Sequence, residues 1–544
     1  MEKPALEPWY HRATLYHIYP LSFADANGDG YGDLRGIRDH LDYLQGSHES
    51  LGIEAIWLSP IYVSPMADWG YDIADHKAID PRFGTMGDFE ALLKDAHQRG
   101  MKLLLDYVPN HTSNFHPWFL ESRSSLLSKK RNWYIWADPS KSGGVPNNWL
   151  SAFGGSAWTL DEQTGQYYMH TFLPQQPDLN WHNPEVRDEM LDVLRFWLEI
   201  GVDGFRADAV LGLLKDPQLR DDVANPNYRP GQSDPADEFL RVHSAGQREL
   251  NATIGSFCDV LAEKPDSYML SEAYLNIPGL HRLYQACRKH PIHAPFNFNL
   301  MSLTWGAQSY RDFIDQYESS MGPHDWPNFV LGNHDRHRLA SRVGPERAKL
   351  LGFLQLTLRG LPVVYYGEEL GQVDTIFRQA QVRDPWELRV PGHGLGRDGA
   401  RSPMAWTPGP SAGFSHAKPW LPLGSAAARL NVEIEGRQPD SSLNMYRHLI
   451  RLRDESPALY EGEYRSLTVD NPYVYVFVRE TRMQKFLIVL NFDQHHAKFE
   501  LQGEIGKWIA GTHLVDGDGQ QPEGGRITLE AYEARMYEVS KVHR

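Results

Sequence analysis

Eight short apolar runs of β-like composition, separated by segments of helical character, constrain this chain more than any other feature. They are Leu15 to Phe23, Ala55 to Ile61, Lys102 to Val108, Gly204 to Val210, Tyr268 to Tyr274, Phe296 to Leu300, Asn328 to Asp335 and Leu361 to Glu369. Parallel strands covered by helices on both faces read as nearly continuous apolar runs, because neither face meets water. Eight of them alternating with helices predict an α/β fold, the (β/α)8 TIM barrel. The sixth run carries the weakest strand pattern.

Two of the intervening helices are marked at both ends. Before the fourth run, Asn183 is placed to cap and Pro184 takes the first helical position; Val186, Met190, Leu194 and Trp197 then form one stripe, and Gly201 ends the helix. Before the third run, Thr85 with Asp88 three residues on is a relative of the capping box. Phe89, Leu92, Leu93 and Ala96 face inward there, and Gly100 is the stop.

The third and fourth runs lie roughly a hundred residues apart, far more than a loop of a few residues and one helix needs. The stretch 107–176 is rich in Trp, Ser, Asn and Gly and reads as an irregular subdomain inserted after the third strand, overhanging the barrel mouth. The barrel then occupies 1–106 and 177–459. In 460–544 the pattern changes: Tyr473, Tyr475 and Phe477 alternate with Val474, Val476 and Val478, and a second strand-like run follows at Phe486 to Leu490, predicting a C-terminal antiparallel β domain.

Composition narrows the partners. Hydrophobic residues are 41% and aromatic residues 12% of the 544, which excludes a disordered polymer. Against 54 Lys and Arg stand 70 Asp and Glu, a formal charge of −16 that repels polyphosphate and argues against nucleic acid. No apolar run approaches the ~20 residues that span a bilayer. Met1 to Tyr10 lacks the charged-then-hydrophobic pattern of a signal peptide. Cys258 and Cys287 are too few for a disulfide framework, so a reducing compartment, the cytoplasm, is the expectation, with a single bridge left open. The protein is expected to be a monomer or homodimer that needs no organic cofactor.

Catalytic groups of such barrels sit at the C-terminal ends of the strands. Four ends are informative: Asp106 to His111, Gly204 to Asp208, Ser271 to Ala273 and Gly332 to Asp335. They bring three carboxylates, Asp208, Glu272 and Asp335, to one rim with Arg206, His111 and His334. Glycosidic cleavage needs one ionised carboxylate and one protonated carboxyl across the bond. A metal centre is the competing use of such a cluster, but closely spaced histidine ligands are missing, and an aromatic-rich mouth suits sugar rings.

These strand ends, with Gln176 to Asn180 before the fourth, resemble the ordered motifs of the α-amylase family of retaining glycoside hydrolases. Asp68 to Asp72 and Gly396 to Met404 resemble its exo-acting α-glucosidase branch. The resemblance implies Asp208 as nucleophile, Glu272 as general acid and then base, and Asp335 as the carboxylate that grips substrate hydroxyls. His111 and His334 resemble the histidines that hydrogen-bond the bound sugar, and Tyr71 its stacking platform. Asp68 and Arg401 match the pair that holds a non-reducing terminal glucose, which implies exo cleavage. Arg206, on the same strand face as Asp208, is expected to keep the nucleophile ionised, whereas burial and neighbouring negative charge should raise Glu272.

Asp25, Asn27, Asp29, Tyr31 and Asp33 offer oxygens at alternate positions, like the start of an EF-hand loop, but position twelve is Gly36 instead of Glu, and a strand precedes where a helix should stand. The family resemblance implies a structural Ca2+ or Mg2+ there, with Tyr31 contributing its carbonyl. Ala209, directly after the nucleophile, stands where the family carries a linkage-sensitive residue, and a small side chain leans toward α-1,4 bonds of the maltose type. The expected partners are small α-glucosides: maltose, short malto-oligosaccharides or sucrose. The loops Leu211 to Asp259 and Val373 to Arg397, the latter with Arg378 and Arg383, are expected to build the leaving-group site. The same covalent intermediate would serve a sucrose isomerase, trehalose synthase or transglucosidase; a non-catalytic carbohydrate-binding barrel is the reading from outside enzymology.

Overall fold

The computed structural model describes residues 8–501, 505–513 and 525–539. The start of the N-terminal segment read for a leader, and parts of the C-terminal domain, lie outside them. Eight parallel strands form the central sheet: β1 (Leu15–Ile18), β2 (Ala55–Leu58), β3 (Lys102–Tyr107), β4 (Gly204–Ala207), β5 (Tyr268–Ser271), β6 (His293–Pro295), β7 (Asn328–Val330) and β8 (Leu361–Tyr365). Their spatial order is β6-β5-β4-β3-β2-β1-β8-β7, the cyclic order of an eight-stranded α/β barrel. The strands are shorter than the apolar runs, because the last residues of most runs leave the ladder to form the rim.

β6 is the one strand displaced from its run: it is His293–Pro295, while Phe296 to Leu300 continues as a loop and a 3-10 turn. The seam between β6 and β7 is closed by a side chain. Asn328 accepts from the Asn297 N–H at 2.8 Å and donates to the Pro295 carbonyl at 2.7 Å, so its amide stands in for a missing rung of the backbone ladder.

Alternation along each strand divides the core in two. Leu15, Ala55, Leu104, Leu270, Val330 and Val363 fill the barrel interior. Tyr16, Ile56, Leu103, Leu105, Met269 and Val364 pack outward against the helices. Fully burying a side chain of this size contributes about 1.5–3 kcal/mol. The helix Met86–Gln98 starts on a complete capping box of Thr85 and Asp88, and Pro184–Ile200 starts on Asn183 and stops at Gly201, φ +124°. Both bury the stripes named above, which lock these helices onto the sheet.

Between β3 and β4 the chain forms a small antiparallel sheet, Trp136–Ala137, Trp158–Asp161 and Gln166–Met169, with the helix Pro117–Arg123 beside it. At the C-terminal end five antiparallel strands, Glu463–Leu467, Val474–Glu480, Lys485–Asn491, Ala534–Glu538 and Trp508–Gly511, form a separate sheet. Two buried arginines tie that end to the barrel. Arg453 donates to the carbonyls of Leu356, Leu358 and Gly360, and Arg479 to those of Thr357 and Gly462.

Cys258 and Cys287 are joined in a disulfide, with Cα atoms 6.0 Å apart. It ties the helix Leu250–Leu261 to the turn that follows Ile277–Tyr284. The single bridge that the sequence left open is thus formed, and it removes the cysteine argument for a reducing compartment, since such bonds persist where conditions are oxidising. Among the described residues no helix is long and apolar enough to cross a membrane.

Candidate active site

The sheet itself sets two of the rim carboxylates. Asp208 follows β4 by one residue and its N–H donates to the Tyr107 carbonyl at 2.8 Å; Glu272 follows β5 by one residue and donates to Ala207 at 2.8 Å. Each is one more rung of the ladder, so the backbone under each side chain is as fixed as the barrel. Asp335 lies five residues beyond β7, in a turn where its N–H donates to Asn333 Oδ1 at 3.0 Å.

Arg206 stands beneath the first two. Its Nη1 is 2.5 Å from Asp208 Oδ1 and 2.7 Å from Asp106 Oδ1, and its Nη2 is 2.8 Å from Glu272 Oε2. Asp106 in turn accepts from the Tyr71 hydroxyl at 3.0 Å and from the Trp57 indole at 3.3 Å. One buried cation thus faces three buried carboxyls, and three cannot all stay ionised around it. Burial outweighs the guanidinium and pushes Asp208 and Glu272 each up to about 7 and Asp106 to about 6. Arg206 does act on Asp208 in the expected direction, but burial outweighs it, and the cation is shared with Asp106 and Glu272.

Asp335 is the opposite case. Burial raises it, but His334 at 3.2 Å, Arg397 at 3.2 Å and Arg401 at 3.2 Å hold it far below the usual carboxylate range. Burial pushes His334 well below its ordinary value, so its ring is neutral. That ring stacks on Tyr71, centroids 5.1 Å apart. His111 is also lowered by burial, and its Nε2 pairs with the Tyr71 carbonyl at 3.0 Å and with Gln176 at 3.1 Å.

The turn holding Asp68 is stapled by Asp72, whose carboxylate accepts from the Ala67 and Asp68 N–H groups and from Ser64. Asp68 then reaches Arg397 at 2.7 Å and Gln176 at 3.1 Å. Arg397, not Arg401, is therefore the arginine on Asp68. It is clamped from behind by Asp384, the cap of the short helix Pro385–Arg389, at 2.7 Å, and its guanidinium lies 4.8 Å over the Phe153 ring. Arg401 is fully buried, donates to the His334 carbonyl at 2.9 Å, and acts on the site through Asp335. Sequence reading missed Arg397 although the motif containing it was in view; four residues separate the two arginines, and only the fold decides which reaches the pocket.

A cavity of about 810 Å3 opens here, lined at one end by Asp68, Tyr71, His111, Asp208, Glu272, His334, Asp335 and Arg397. Arg206 and Arg401 are not on its wall. Neither are Arg378 and Arg383; the second long loop contributes Trp386 and Arg397 instead. Ala209 is on the wall in a left-handed conformation, φ +45°, and its N–H donates to Glu272 Oε2 at 3.0 Å. A non-glycine residue there costs about 1–3 kcal/mol, held by the surrounding ladder.

The loop Asp25 to Asp33 lies away from this cavity. Gly30, sixth in the loop, has φ +94°, the sharp turn that a cation loop requires at that position. Asp25 accepts from the Gly28 and Gly30 N–H groups and from Ser415, Asn27 accepts from Asp29, Asp29 from Tyr31, and Asp33 from Ala26, Asn27 and Gly36. The oxygens suit a hard cation, and these bonds hold the loop in shape. Among the described residues, however, no three His, Cys, Asp or Glu side chains stand together as a cage.

A family model described as alpha amylase, catalytic domain, matches residues 17–462. An oligo-1,6-glucosidase of Heyndrickxia coagulans is 35% identical over 98% of this chain and 100% of its own length. An alpha-glucosidase of Culex pipiens is 39% identical over 90% of this chain and 83% of its own. Among solved structures, an alpha-glucosyl transfer enzyme superposes with a TM-score of 0.90 at 38% identity, covering 98% of this chain and all of that one.

The clamp can be tested without any substrate. R397M strips the only cation bonded to both Asp68 and Asp384 among the described residues and leaves two buried carboxylates short of it. The expected cost is about 3–5 kcal/mol, read as a lowered melting temperature; an unchanged melt would show that the pair carries no such load.

Proposed function

Since this chain belongs to the alpha-amylase family of glycoside hydrolases, we propose that it is a retaining exo-α-glucosidase that releases the non-reducing terminal glucosyl residue of small α-glucosides. The observation that carries the reading is the pairing of Asp208 and Glu272 on one guanidinium at the floor of a cavity plugged by Asp68, Arg397 and Asp384. A retaining mechanism needs its two carboxyls close together, about 5 Å apart, one ionised and one protonated. One cation serving both supports that sharing.

In this reading Asp208 attacks the anomeric carbon while Glu272 gives its proton to the leaving oxygen, and the β-glucosyl ester on Asp208 is then opened by water that Glu272 deprotonates. Asp335, kept ionised by His334 and the two arginines, accepts from ring hydroxyls and faces the positive charge of the transition state. Tyr71 and neutral His334 offer flat surfaces to the ring. The ion pairs of Arg397 with Asp68 and Asp384 at this end of the cavity support exo over endo cleavage. The small Ala209 on the wall favours α-1,4 bonds of the maltose type, although some relatives carry the name oligo-1,6-glucosidase. The likeness to an alpha-glucosyl transfer enzyme keeps a second reading in play: transfer of the same glucosyl group to an acceptor other than water, as in a transglucosidase, sucrose isomerase or trehalose synthase. The loop from Asp25 to Asp33 we assign to a structural Ca2+ or Mg2+ that draws its oxygens together on binding, outside the chemistry.

Three measurements test these statements. Proton NMR on maltose, isomaltose, sucrose and trehalose in parallel should show early α-glucose from maltose; new disaccharide signals with little glucose would move the assignment to transfer, and no reaction would remove it. The rate profile in kcat/KM should be bell-shaped with its maximum near neutral pH. Acid inactivates by protonating Asp208 and base by deprotonating Glu272, both pushed up to about 7; a flat profile contradicts the pairing. Removing divalent ions with EDTA should lower the melting temperature and Ca2+ should restore it; an unchanged melt assigns the loop to its hydrogen bonds alone.

A further inference from the structure

Beyond the carboxylates the cavity changes character. Its outer wall comes from 211–251 and 273–283, and there Leu211, Leu250, Leu275 and Leu283 supply an apolar lining. Four arginines complete it: Arg241, Arg248, Arg282 and Arg336. The acids on the cavity wall are Asp68, Asp208, Glu272 and Asp335, all at the inner end, and these are already served by Arg206, Arg397 and Arg401. Among the described residues none of the four outer guanidinium groups makes an ion pair within 4 Å. Asp237, Asp222, Asp234 and Asp178 lie in the field of Arg241 without an ion pair to it, and Asp335 and Glu272 lie in that of Arg336. Arg336 follows Asp335 directly, and its guanidinium is held 4.8 Å over the Tyr274 ring, which is itself fixed by Asn333 and stacked on Phe298.

Gln247 and Asn251 also line this wall, but their amide nitrogens are taken up by the carbonyls of Val242, His243, Ala245 and Arg282, and an aliphatic lining with guanidinium groups outside any ion pair favours something other than a sugar. Guanidinium recognises carboxylate through paired, charge-assisted hydrogen bonds, and the leucines exclude water from an apolar body. We propose that the leaving-group and acceptor side of the cavity selects an aryl alcohol that carries one carboxylate, its ring on the leucine wall and its anion on the arginine rim. The inference rests on the glucosyl-enzyme reading above and deepens it. In the transfer step the acceptor hydroxyl oxygen forms a bond to the anomeric carbon as the ester bond to Asp208 breaks. The electron pair returns to the Asp208 carboxylate, and the hydroxyl proton passes to Glu272, left ionised by the first half-reaction.

The test uses the whole protein with 4-nitrophenyl α-glucoside as donor and two acceptors that differ in charge and by one methyl group, 4-(hydroxymethyl)benzoate and its methyl ester. Nitrophenol release reports the first half-reaction, and the amount of each glucoside formed reports acceptor choice. The expected result is transfer to the carboxylate about tenfold above transfer to the ester, the scale of a single charge-assisted hydrogen bond. That ratio should fall toward one as salt rises from about 0.02 M to about 0.5 M, where charges are screened, and in R336M and R241M. Because the ratio is read within each variant, a general loss of activity cancels. Equal use of both acceptors, or a preference that survives salt and both substitutions, overturns the proposal while leaving the glucosidase reading intact. Absence of nitrophenol release brings down both.

Discussion

Arg206 is the charge on which the site is organised. Its two terminal nitrogens reach Asp106, Asp208 and Glu272, three side chains from three adjacent strands, in a place where the guanidinium is almost wholly buried. A desolvated cation is costly unless it is paired, and desolvated carboxyls are costly in the same way. Bringing them together is what makes either tolerable in the barrel mouth. Three carboxyls face this one cation, and burial, which the guanidinium does not offset, raises them toward neutral pH. A fully neutralised site would hold both carboxylates ionised and have no proton to give.

The second charged group works by the opposite rule. Around Asp335 cations are in excess: Arg397 and Arg401 both contact it, and the His334 ring lies 3.2 Å away. Asp335 is therefore held ionised while its neighbours share a proton. Two environments on one cavity wall thus hold carboxyls of the same chemical type in different states. Arg397 links this group to Asp68 and Asp384, so three carboxylates of the cavity end are joined through one side chain.

These contacts depend on a rigid frame. Asp208 and Glu272 are extra rungs of the β3-β4-β5 ladder, and the ladder is closed at its weakest point by the Asn328 amide. Left-handed Ala209 is tolerated because both flanks are fixed, and its N–H spends that strain on holding Glu272. The rest of the cavity wall, in contrast, draws on the long segment after β4 and the helix after β5.

Local chemistry determined much of this protein. Apolar runs of strand length fixed the barrel, because a sheet buried on both faces has no other way to read; Thr85, Asp88, Asn183, Pro184 and Gly201 fixed helix ends through bonds made within a few residues. The candidate carboxylates were legible because they follow strands directly, and strand ends are where the rim must be. What tertiary structure decided is everything that depends on reach across the chain. Arg397 rather than Arg401 meets Asp68 because the two are brought together from 329 positions apart, a distance no local pattern spans. The sixth strand lies three residues before its apolar run because His293 to Pro295, not Phe296 to Leu300, pairs with Met269 to Ser271 across the chain. Cys258 and Cys287 bonded because two helices placed them 6.0 Å apart, and Arg206 was shared among three acids because the barrel set three strands side by side.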